Sequence, residues 1–164
     1  MRRLALGLAL IATPAAARDA LGMFGAWGAF RDPAVPRCYA IAMAEPAHGA
    51  NNGTKRETQP YADVGLWPRR ALRGQVHFRL SHRVAPGGAI TLSLAGQHLH
   101  LMGGGLDAWG PDPRMDAAIT AAMRSAESMT VSARDVTGRA FADAYPLSGA
   151  ATALDAAALG CASR

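Results

Sequence analysis

Three histidines carry the strongest suggestion of chemistry in this sequence. His98 and His100 stand two residues apart in Gln97-His-Leu-His-Leu101, so in an extended strand both project from one face. His77 alternates with Val76 and Phe78 and falls on the polar side of its own segment. Residues facing each other on adjacent antiparallel strands lie about 5 Å apart, close enough for imidazoles to share a Zn2+ or Cu2+. That gives one candidate, a metal-binding protein using His77, His98 and His100. The plainer reading places the same three on the wet face of an amphipathic hairpin. No cysteine or carboxylate completes a spaced ligand motif.

Other reactive groupings are thinner. There is no Gly-x-Ser-x-Gly elbow, and scattered Ser, His and Asp do not by themselves define a triad. A small hydrolase with a dispersed site therefore stands only as a rival class. Asp107, Asp112 and Asp116 cluster in sequence, as a carboxylate pair for glycoside chemistry would, but Asp112 has the position of a helix cap and Asp116 that of the first helical turn. Gly103-Gly104-Gly105 lacks the lysine and Ser/Thr of a phosphate loop and reads as a flexible corner. Trp27, Trp67 and Trp109 could line a ligand groove, although core packing claims Trp27 and Trp109 better. Arg69, Arg70 and Arg73 form the densest basic run and could touch an anionic envelope component such as lipid head groups; a solvated loop is the alternative. No cofactor is expected.

Charge and cysteines bound the function further. The net charge is +5, and Lys55 is the only lysine. Without a dense basic stripe interleaved with aromatics, nucleic-acid binding is not expected. Met1-Arg-Arg3, the apolar run Leu4–Ala12 and the small residues Ala15–Ala17 have the form of a Sec-type export signal, with cleavage after Ala17. Without Arg2 and Arg3 the net charge falls from +5 to +3. Residues 18–164 then form a single domain, periplasmic or secreted, with no further run apolar enough to span a bilayer. In that oxidising setting the even pair Cys38 and Cys161 suggests one disulfide, with two buried free thiols as the alternative.

Alternation supplies the elements that would position these groups. Phe24–Phe30 and Arg37–Met43 are predicted strands forming a hairpin, and Tyr61–Trp67 a third. Glu45–Pro60 is a polar loop, within which Asn52-Gly53-Thr54 reads as a turn more than a glycosylation sequon. Gly74–His82 turns Val76, Phe78 and Leu80 inward and His77, Arg79 and Ser81 outward. Ile90, Leu92 and Leu94 supply another dry face, and Gln97–Leu101 alternates until the triple glycine ends it. Asp112-Pro113 opens a helix whose Met115, Ala118, Ile119, Ala122 and Met123 share a face. A hairpin follows, turning at Asp135–Gly138, with Pro146 marking an edge strand. Ser148 can cap a last helix that Gly160 ends. The predicted fold is mainly β: an antiparallel β-sandwich with one helix packed on it and a short C-terminal helix.

These segments resemble the invasion-associated locus B family of exported alphaproteobacterial proteins. The resemblance rests on Phe24-Gly-Ala-Trp27 followed by Cys38-Tyr-Ala-Ile41, on Gly74–Leu80, on Met115–Met123 running into Ser128-Met-Thr-Val131, and on Leu147–Leu154. It implies an extracytoplasmic β-sandwich without known catalytic residues. It also implies a non-enzymatic binding or adaptor role at the cell envelope, with an envelope or host-surface protein as the kind of partner. One position departs from the pattern. Family members carry a cysteine four residues after the tryptophan of the first strand, and Arg31 stands there in this chain. The family's local disulfide is thus unavailable, so Cys38 pairs elsewhere or stays free.

Overall fold

Small and β-branched residues alternating with polar ones build nearly everything in this domain from antiparallel strands. A computed structural model describes residues 18–46 and 55–162; the expected export signal and the turn expected at Asn52-Gly53-Thr54 lie outside the described residues. In chain order the elements are β1 (Asp19–Phe24), β2 (Trp27–Asp32), β3 (Arg37–Met43), β4 (Tyr61–Trp67), β5 (Leu72–Val84), β6 (Ile90–Leu94), β7 (Gln97–Trp109), α1 (Pro113–Met123), β8 (Ser128–Arg134), β9 (Ala140–Pro146) and α2 (Ala150–Ala162). The nine strands make one sheet in the order β1-β2-β3-β4-β5-β7-β6-β8-β9, with every pairing antiparallel.

The mainly-β antiparallel fold with two helices matches the expectation, and the two layers turn out to be halves of that one continuous sheet. β7 belongs to both. Its first half pairs with β6 and its second half with β5. The triple glycine does not end the strand, as the sequence suggested, but bends it. Gly105 has φ 62°, and a Cβ on Gly103 would collide with the Asp107 carbonyl. The bend brings β9 over β5, so that the Phe78 and Tyr145 rings sit 6.0 Å apart between the halves. Trp27, Leu80, Ile90, Leu92, Met129 and Val131 fill the same dry interior. Trp27 is fully enclosed, and its indole N–H donates to the Pro146 carbonyl at 2.9 Å.

The first strand expected over Phe24–Phe30 is really a tight hairpin. Gly25, with φ 56°, turns the chain so that Phe24 pairs with Trp27. At α1, Asp112 caps as expected, its carboxylate accepting the Met115 N–H at 2.8 Å, although Ala118 faces solvent. Asp116 lies in the first turn as expected and is also buried; it accepts the Val76 N–H of β5 at 3.2 Å and so stitches helix to sheet. Burial pushes its carboxyl above the usual range, against the opposing effect of that bond. α2 runs past Gly160 to Ala162 and lies across β1, β2 and β3. It is fastened there by a disulfide between Cys161 and Cys38 of β3, whose Cα atoms are 5.8 Å apart.

Candidate functional site

The outward face of β3, β4, β5 and β7 assembles the most chemically dense surface of the molecule. Strand register sets its order. One row of directly opposed residues runs Ile41, Asp63, His77, Trp109 across the four strands. The next row, two residues along, runs Met43, Tyr61, Arg79, Asp107. On the other side Tyr39 opposes Gly65, which opposes Gln75. Because Gly65 has no side chain, the Trp67 indole folds down over it; a Cβ there would strike the ring. The result is a groove of about 440 Å3 with Tyr39, Tyr61, Trp67 and Trp109 as its aromatic walls.

Its polar centre is His77. Nδ1 lies 2.8 Å from Asp63 Oδ2 and Nε2 lies 3.0 Å from Asp107 Oδ1. Arg79 reaches the same Asp107 carboxylate through both oxygens, at 3.1 and 2.9 Å. Burial opposes charging the imidazole, but the hydrogen bonds and negative charges of Asp63 and Asp107 prevail and raise its pKa above the ordinary value. When the imidazole is protonated it donates from both nitrogens, and the charges of His77 and Arg79 then balance those of Asp63 and Asp107. The Tyr61 and Trp109 rings flank the imidazole at 5.7 and 5.3 Å. Burial, followed by the Asp63 charge, pushes the Tyr61 phenol above its usual pKa. At one end the Arg37 guanidinium lies 4.5 Å over the Tyr39 ring and 5.9 Å from that of Trp67.

The proposed histidine set is not brought together. His98 and His100 do share a face, but they sit exposed at the β6–β7 hairpin, opposite Ser93 and Thr91. His77 pairs with Trp109, at the far end of β7 from them. The long run of β7 through its bend separates the two places, which is why alternation alone suggested a proximity that register denies. His98 Nδ1 meets the Ser93 hydroxyl at 3.0 Å. Among the described residues no group of three or more His, Cys, Asp or Glu side chains is arranged to hold a metal ion. Of the tryptophans, Trp27 is core as expected, whereas Trp109 is 38% exposed and belongs to the groove with Trp67. Arg69 and Arg70 lie on a short 3-10 turn, Pro68–Arg70, and Arg73 follows at the start of β5, all three exposed.

Sequence reasoning missed Asp63 and the role of Asp107. The signal was present in part. In Tyr61–Trp67 the alternation puts Tyr61, Asp63, Gly65 and Trp67 on one face, and an aspartate inside an aromatic strand face asks for a cation opposite. Fold and groove together define a class, an antiparallel β domain presenting an aromatic, charge-paired groove on one sheet face. No family model, no curated protein and no solved structure matches the chain.

Proposed function

We propose that this chain is an exported, non-enzymatic binding domain of the invasion-associated locus B type, acting in the periplasm or at the cell envelope, and that the groove around His77 is its ligand surface. One observation carries the binding reading. Both ring nitrogens of His77 are spent on carboxylates, and both carboxylates are spent on cations, so the groove offers no free base or nucleophile at its centre. Such a tetrad is a fixed polar floor between aromatic faces. That pairing of flat apolar walls with convergent hydrogen-bonding groups suits a polyhydroxylated ring, which has apolar C–H faces and polar edges. The export signal with cleavage after Ala17 sets the destination, and the Cys38–Cys161 bond is compatible with an oxidising compartment.

The test is a titration of the mature protein with soluble envelope-type oligosaccharides, read by tryptophan fluorescence and by amide chemical shifts. Shifts confined to β3, β4, β5 and the end of β7, lost in Trp67→Ala and Trp109→Ala, support the reading. If no saccharide perturbs the groove, or if shifts persist in both variants, the groove is not the ligand surface.

A further inference from the structure

A second surface, sharing only Arg37 with the aromatic groove, lies where the Pro68–Arg70 turn meets the end of α2. Two depressions, of about 360 and 420 Å3, adjoin there and share Pro68 and Cys161 as their dividing ridge. The larger has an apolar bed made by Leu66, Leu72, Ala158 and Ala162, with Arg73 at its rim. The smaller is bordered by Arg31, Asp32, Arg37 and Arg69.

The charges here are unlike those of the tetrad. Arg31 is spent on Asp19, to which it donates twice. Asp32 accepts the Ala34 and Val35 N–H groups and meets Arg18 at 3.4 Å, so its carboxylate is satisfied within its own turn. Arg37, Arg69 and Arg73 have no acidic or hydrogen-bonding partner among the described residues, and the Arg37 Nε is buried with its donor unsatisfied. The Arg37 guanidinium, which lies over the Tyr39 ring, has no carboxylate partner among the described residues, and with Arg69 and Arg73 it supplies forks that match phosphate oxygens. The apolar bed alongside specifies what the anion is attached to.

We propose that these depressions seat an anionic phospholipid of a membrane surface, the headgroup phosphate among Arg37, Arg69 and Arg73 and the first acyl methylenes on Leu66, Leu72 and Ala158. Arg37 borders both surfaces, but the inference requires no ligand in the groove. It assigns Arg69 and Arg73 to the seat and leaves Arg70, on the same turn, outside it, since Arg70 lines neither depression. This asymmetry separates a built seat from general attraction between a basic protein and an acidic bilayer.

The experiment is co-sedimentation of the mature protein with phosphatidylglycerol-containing vesicles and with pure phosphatidylcholine vesicles, at low salt. Binding is expected only to the former, weakened about five-fold by Arg69→Gln and again by Arg73→Gln. Arg70→Gln and the distant α1 substitution Arg114→Gln should leave it nearly unchanged. Short-chain phosphatidylglycerol should bind more tightly than glycerophosphate by about four-fold for each methylene seated. Thermal melts of every variant must match the wild type. Absence of binding to the anionic vesicles overturns the proposal. So does equal weakening by Arg70→Gln or Arg114→Gln, which would mean diffuse attraction. Polyglutamate binding as tightly as the vesicles would also overturn it, by making an acidic protein the better partner.

Discussion

The two ends of β5 treat ionisable groups in contrasting ways. Toward its start, His77 and Arg79 face outward and meet Asp63 and Asp107 in close, fully reciprocated pairs. Toward its end, Ser81 and His82 turn inward beneath β9, where Asp143 is completely buried. The Asp143 carboxylate accepts the Ser81 N–H at 2.9 Å, yet its nearest cation, Arg56, stands 3.9 Å away. His82 Nε2, the Ser81 hydroxyl and Arg56 Nε are buried there without partners. Both His77 and Asp143 have raised pKa values, for opposite reasons. Pairing overcomes burial at His77 and favours its charged form; burial dominates at Asp143 and disfavours its charged form, with the Ser81 N–H bond opposing. The same direction of shift thus marks a well-compensated site at one end of a strand and an under-compensated one at the other.

The largest effect expected from breaking this contrast is at Asp143. Asp143→Ala strands the Ser81 N–H and the Arg56 guanidinium and should cost about 3 kcal/mol in urea unfolding. Asp143→Asn keeps an acceptor for Ser81 while removing the buried charge, and should fall within about 1 kcal/mol of wild type at neutral pH. Equal losses from the two would mean that Asp143 is as well compensated as His77. Next comes His77→Ala, which deprives Asp63 and Asp107 of their shared donor, at a cost of about 2 kcal/mol by the same measurement.

The pH dependence sharpens the comparison. His77 contributes stability fully present below about pH 6.5, its unfolded value, and lost as pH rises through the folded value. For Asp143, stability is likewise lost on raising pH, but in a more acidic window that opens near 3.8. An NMR titration should place His77 above its ordinary value, and Asp63→Asn should move it back down. A His77 titration indifferent to Asp63 would break the pairing account. The smallest effects belong to His98→Ala and His100→Ala, exposed at their hairpin, each expected within about 0.5 kcal/mol and without influence on the His77 titration.

Periodicity made most strands legible. The inward set Val76, Phe78, Leu80, Ile90, Leu92 and Leu94 is buried as alternation requires, and the Asp112 cap needed only the Asp-Pro pair. What alternation cannot carry is curvature. Ser81 has the spacing of a wet-face residue and is enclosed because Asp143 of β9 accepts its N–H and the Glu57 and Thr58 N–H groups donate to its carbonyl. The groove was hidden for a related reason. His77 was legible as a polar-face residue, but its partners lie on strands separated from β5 by a turn on one side and by most of β7 on the other. Asp63 and Asp107 become neighbours of His77 only once register is fixed, and register depends on the bulge between Gly65 and Leu66 and on the bend at Gly103–Gly105. Trp109 was misread for the same cause: a large aromatic next to a glycine carries no mark of which layer it will face.

The Cys38–Cys161 bond joins positions 123 residues apart. Everything from β3 to the last turn of α2 is therefore one closed covalent loop, and only β1 and β2 among the strands hang outside it. A protease that nicks the exposed Val136–Gly138 turn, or any other single peptide bond inside that loop, opens the ring without releasing a fragment. The cut protein should run as a single band on a non-reducing gel and separate into two pieces only with reductant. The first cleavage then leaves both pieces tethered, and with them the sheet that holds the groove.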